Sequence, residues 1–124
     1  MGAKRVPLGK KLRQRLYDKY NHRCAYCGCE ILYKDMQVDH VKPVYLCDDE
    51  DANRESNLLP ACRMCNFYKS TMSIDLFRER LGEKLIENLR KSFIFRIAEK
   101  YKVVKVEENA IAFYFEKLRE GLNA

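Results

Sequence analysis

Two short stretches, Cys24-Ala25-Tyr26-Cys27-Gly28 and Cys62-Arg63-Met64-Cys65-Asn66, decide how this chain folds. Each sets two thiols two residues apart, and four thiolates complete the closed tetrahedral shell of a structural zinc site. Cys24, Cys27, Cys62 and Cys65 are therefore expected to hold one Zn²⁺ and to staple distant parts of the chain together. Such sites bind with on the order of 10 kcal/mol or more, comparable with the stability of a whole domain. A loop-rich region can be organised on that basis. Gly28 supplies the permissive backbone that a tight turn around a metal needs. Cys29 and Cys47 lack a partner at this spacing and read as free thiols.

Between the two pairs, Met36, Val38 and Val41 mark a strand over residues 36–41 that ends on Asp39-His40. Residues 42–57 read as a long loop: Pro43, the solvated acidic run Asp48-Asp49-Glu50-Asp51, then Asn53, Ser56 and Asn57. Loops of this length in compact domains are usually functional or mobile. Leu58-Leu59 gives a second short strand. Around and past Cys65, Met64, Phe67, Tyr68 and Thr71 form a helical stripe read as core, while Asn66, Lys69 and Ser70 fall on another face.

Upstream, Leu12, Leu16, Tyr17 and Tyr20 recur at helical spacing and predict an amphipathic helix over residues 10–20 with a basic exposed face. Downstream, the pattern predicts a helix over 74–81, a break at Gly82, and a longer helix over 83–100 burying Leu85, Ile86, Leu89, Phe93 and Ile97. Val103 to Val106 and Ile111 to Phe115 suggest a terminal β-hairpin.

At 124 residues, with 47% hydrophobic and 34% charged positions, the chain suits a single domain. It shows neither a leader pattern nor an apolar run of roughly 18 residues, so a cytoplasmic location without membrane contact is expected. A reducing compartment favours metal ligation over disulfides. Net charge is +6, and residues 1–23 carry eight Lys or Arg, Lys4 and Arg5 among them, against Asp18 alone. That asymmetry is the electrostatic footprint of a polyanion binder, the alternative being a solvated helix face.

The ordered set Cys24-x-x-Cys27, Asp39-His40, Asn57-Leu58-Leu59-Pro60-Ala61-Cys62 and Cys65-Asn66-x-x-Lys69 resembles the HNH endonuclease family, also called ββα-metal or His-Me finger nucleases. The resemblance implies an α+β chain: a zinc-stapled ββα-metal core over residues 22–72, preceded by the basic helix and followed by an extension over 73–124. It implies His40 as general base, Asp39 as ligand of a catalytic metal, and Asn57 as the brace of the loop that carries the base. Asn66 stands where much of the family has a second metal-binding histidine, and would offer an amide oxygen. Small proteins of this kind are frequent in phages and prophages.

Physical chemistry supports the same roles. Phosphodiester hydrolysis needs a deprotonated water and neutralisation of charge on the phosphoryl oxygens. Imidazole titrates near neutrality and suits the first task. The oxygen donors of Asp39 and Asn66 suit a hard ion, Mg²⁺ or Mn²⁺. Lys69, one helical turn from Asn66, is expected to reach a phosphate. His22 reads as a surface residue or a neighbour of the zinc shell. The resemblance implies hydrolysis of DNA to 5′-phosphate and 3′-hydroxyl ends. Its rivals are a zinc-ribbon nucleic-acid-binding module without catalysis and a nuclease acting on RNA or branched DNA, since a single-metal core contacts phosphate and not base sequence.

Overall fold

The computed structural model describes residues 8–48 and 52–121. Lys4, Arg5 and most of the acidic run, Asp49 to Asp51, lie outside the described residues. The chain divides into two compact units, one taking residues up to Ser73 and from Ala112 onward, the other Ile74–Ile111. The expected motif region, 22–72, falls within the first.

In the first unit, α1 (Lys10–Lys19) buries Leu16 completely. Its basic residues are not all free. Arg13 donates to the Met36 carbonyl at 3.1 Å, and Arg15 pairs with Glu55 at 3.0 Å. Lys10, Lys11 and Lys19 remain exposed. Beyond its C-cap Tyr20, two left-handed residues, Asn21 and His22, turn the chain into the first cysteine pair. His22 stacks on Tyr17 with ring centroids 4.0 Å apart and meets Asp18 at 3.0 Å, so it is a surface residue.

Strands β1 (Gln37–His40) and β2 (Leu58–Ala61) pair antiparallel, with Asp39 opposite Leu59 and His40 opposite Leu58. Among the described residues this is a two-stranded sheet. Every residue of β2 is buried. Pro60 has no N–H to donate, but its carbonyl accepts from Ala25 at 2.8 Å and ties the sheet to the first cysteine pair. Helix α2 (Arg63–Lys69) follows, with the Cys62 sulfur accepting from the Cys65 N–H as its N-cap. The order strand, strand, helix is the expected ββα core.

Four expectations need correction. The stripe on α2 is not core: Met64 is 83% and Phe67 84% exposed, and Tyr68 is exposed as well. This seven-residue helix rests on β1 through its other face, where Lys69 is buried. Gly82 does not break the next helix. Residues Ile74–Glu79 (α3), a π-helical turn Arg80–Lys84 and Leu85–Leu89 (α4) run on without interruption, the wider turn absorbing the glycine.

The break falls instead at Arg90 to Ser92. There the Ser92 hydroxyl accepts from the Phe95 N–H and caps α5 (Phe93–Lys100). The apolar register is interrupted, and Leu85, Leu89, Phe93 and Ile97 are all exposed, with Ile86 half-buried.

The terminal hairpin is absent from the described residues. Residues 105–113 form no strand, and Tyr114–Arg119 is a helix, α6, whose Glu116 side chain accepts from the Phe113 N–H at 3.0 Å. Phe113 and Phe115 alternate like strand residues because both serve as packing for Tyr26.

Candidate active site

The four paired cysteines converge. Their sulfurs all lie within 4.8 Å of one another, Cys27 and Cys62 at 3.9 Å. Zn–S bonds of about 2.3 Å at tetrahedral angles separate sulfurs by about 3.8 Å, so the cluster fits a four-thiolate zinc site. Local structure makes it so. Gly28 adopts φ 80°, which closes the turn bringing its N–H to the Cys24 carbonyl at 3.0 Å. A hydrogen bond from Cys65, helped by backbone N–H groups, outweighs burial and holds the Cys24 thiol down to about 5. The same hydrogen bond pushes the Cys65 thiol up, and a metal held by the four sulfurs would displace their protons. Cys29 and Cys47 stand outside this set, Cys29 exposed and Cys47 buried with its thiol donating to the Lys42 carbonyl.

A cleft of about 360 Å³ lies beside the sheet, lined by Asp39, His40, Pro43, Val44, Asn66 and Ser70 among others. Two of its polar groups come from the end of β1 and one from α2. Asn66 sits mid-helix, its backbone in the helical ladder, with its side chain half-buried at the cleft. The nitrogen Nε2 of His40 is 2.9 Å from Asn53 Oδ1.

Asn57 makes three side-chain bonds. It accepts from the Lys42 N–H at 2.8 Å and donates to the carbonyls of Lys42 and Ala52 at 3.1 and 2.9 Å. It thus clamps both ends of the loop that follows His40. Val44, Cys47 and Ala52 form a small core beneath that loop.

Asp39 is buried, and its Oδ2 receives two donors: the hydroxyl of Tyr26 and, at 2.9 Å, the ammonium of Lys69. Burial first, and then the Asp39 charge, push the Tyr26 phenol up, so it stays protonated and donates. Lys69 also lies 3.4 Å from the His40 carbonyl and is 0% exposed. The expected phosphate contact by Lys69 is therefore corrected, because a fully enclosed ammonium that neutralises Asp39 does not face a ligand. Sequence reading also missed Tyr26 and Asn53. Asn53 was visible as a polar loop residue, but nothing local aimed it at His40. Tyr26 occupies a variable position of a CxxC pair, where spacing carries no signal.

Comparison with known proteins agrees with this geometry. Residues 24–71 match the family model described as HNH endonuclease. The SPbeta prophage-derived protein YoqL of Bacillus subtilis (strain 168), which carries the HNH endonuclease name, is 33% identical over 50% of this chain and 29% of its own length. The CRISPR-associated endonuclease Cas9 of Actinomyces naeslundii is 34% identical over 48% of this chain and 5% of its own. The crystal structure of that organism's Type II-C Cas9 superposes with a TM-score of 0.51 at 26% identity, covering 64% of this chain and 8% of that one. The chain thus spans less than a third of the length of these relatives. Within it, the ββα segment from Cys24 to Thr71 is the part that matches the HNH endonuclease family.

Proposed function

We propose that the protein is a metal-dependent endonuclease that hydrolyses DNA phosphodiester bonds with His40 as general base. The observation that carries this reading is the convergence of Asp39, His40 and Asn66 on one cleft beside the cysteine cluster. The oxygens of Asp39 and Asn66 suit Mg²⁺ or Mn²⁺, which would neutralise phosphate charge and stabilise the leaving oxygen.

The chain's own residues supply the rest. If the Nε2 proton of His40 is donated to Asn53, Nδ1 keeps the lone pair that takes a proton from water. Asn57 keeps the following loop, and with it the imidazole, from drifting. Tyr26 and Lys69 hold Asp39. The two-CxxC cluster, loaded with Zn²⁺, fixes α2 and hence Asn66 relative to β1.

The test is incubation with supercoiled, linear, single-stranded and branched DNA and with RNA, with and without Mg²⁺ or Mn²⁺. Magnesium-dependent DNA cleavage is expected, falling by about 10²-fold or more in His40→Ala with thermal unfolding and zinc content unchanged. Equal cleavage by the two proteins removes His40 as the base. Binding to DNA without cleavage under any metal returns the chain to a zinc-ribbon binding module.

A further inference from the structure

We propose that Tyr26 is a positioning residue for the metal-binding carboxylate: its hydroxyl engages Oδ2 of Asp39 and fixes the carboxylate so that Oδ1 is the oxygen offered to a divalent cation. The inference rests on the assignment of Asp39 as a catalytic-metal ligand made above.

Rotation about the terminal bond of an aspartate is broad and nearly free. A ligand that rotates gives a cation a choice of one oxygen, the other, or both, and loses affinity in being ordered. In this structure both donors to Asp39 choose the same oxygen. Tyr26 donates to Oδ2, and Lys69 Nζ approaches Oδ2 at 2.9 Å. The division of labour is set by the protein before a cation arrives.

Tyr26 is itself held through its backbone and its ring. Its N–H points at the Cys24 sulfur at 3.4 Å, and its carbonyl accepts from Tyr114 at 3.1 Å. Its neighbour Ala25 donates to Pro60 and accepts from Phe115, both at 2.8 Å. The ring packs edge-on against Phe113 and Phe115, at 5.4 and 6.1 Å between centroids. A ring so constrained fixes where its oxygen sits, beside Asp39. Because Tyr26 lies between Cys24 and Cys27, the same backbone that presents two zinc thiols also aims this hydroxyl. Tyr26 thus connects the first cysteine pair to a carboxylate that lines the cleft.

The test uses Tyr26→Phe, which keeps the ring and its packing and removes one oxygen. Mn²⁺ binding is followed by electron paramagnetic resonance on the zinc-loaded protein, and DNA cleavage is titrated with Mg²⁺. The variant is expected to retain one zinc per chain and its unfolding midpoint within a few degrees. Its Mn²⁺ dissociation constant and half-saturating Mg²⁺ concentration should rise by about 10- to 100-fold, with kcat at saturating metal recovered to within a few-fold. A loss confined to kcat is the pattern this role excludes.

Para-aminophenylalanine at position 26 restores a donor on the same ring and should bring Mn²⁺ affinity back to within a few-fold of wild type. Wild-type affinity and half-saturation in Tyr26→Phe, failure of the amino analogue to restore binding, or loss of zinc or folding in Tyr26→Phe would each overturn the proposal. Wild-type protein that neither binds Mn²⁺ nor cleaves DNA overturns the nuclease reading and this one together. If wild type does both and Tyr26→Phe equals it, this inference alone falls.

Discussion

An ammonium group sealed from solvent survives only where its charge is met, and Lys69 finds that partner in Asp39 at 2.9 Å. The pair is a conditional asset. Two charges out of water cost much of what their attraction returns, but one left without the other costs far more. Lys69→Met is accordingly expected to destabilise the fold by about 3–5 kcal/mol, read from denaturant unfolding, because Asp39 would keep the Tyr26 hydroxyl and no positive charge. A change below about 1 kcal/mol would show that water reaches the site. The loop residue Asn53 offers a milder case. Asn53→Ala should lower kcat about fivefold, the worth of roughly 1 kcal/mol in orientation of His40, with little change in Mg²⁺ half-saturation. A shift in Mg²⁺ half-saturation with kcat unchanged would assign Asn53 to the metal and not to the base.

At the scale of elements, the cysteine cluster joins the turn before β1 to the start of α2, and Cys62 does two jobs there. Its sulfur belongs to the four-thiol set and also caps α2 by accepting from the Cys65 N–H. Cys62→Ser keeps a hydroxyl able to cap but removes a soft ligand. It is expected to lose zinc by metal analysis and to lower the unfolding midpoint by more than about 10 °C, since capping alone is worth only about 1 kcal/mol. A zinc-free variant of unchanged stability would mean that packing alone holds the unit.

These elements were also the most legible in the sequence. Two-residue spacing of thiols, helical recurrence of Leu12 and Leu16, and the apolar run into Asp39-His40 are local patterns, and local patterns survive folding. The faces of α2 were not legible. Met64 and Phe67 are more apolar than Lys69, but the sheet below α2 carries a buried carboxylate, and the residue that can neutralise it goes inside. No periodicity records that demand. The break read at Gly82 rested on a local signal too, but the backbone carries the helix past that residue in a π turn and the cap falls at Ser92.

At the scale of the whole molecule, charge and connectivity govern. Three lysines of α1 stay exposed, so the basic segment keeps part of its capacity for a polyanion even after Arg13 and Arg15 are committed to structure. Lys10→Gln with Lys11→Gln should reduce the slope of log K against log salt for DNA binding by about 0.9 for each phosphate no longer neutralised. An unchanged slope would make these lysines a solvated face.

Connectivity has the longer reach. The chain leaves the first unit at Ser73 and returns to it at Ala112, and the aromatic wall behind Tyr26 is built from Phe113 and Phe115. On a ribosome, every residue of the recognised motif emerges well before that wall exists. The nascent chain can gather its four thiols and even capture zinc, yet Tyr26 has nothing to lean on until some forty further residues, by the numbering of Ser73 and Phe113, have been made. A chain ending before Phe113 would therefore carry a complete signature and leave Tyr26, the partner of Asp39, without its aromatic support.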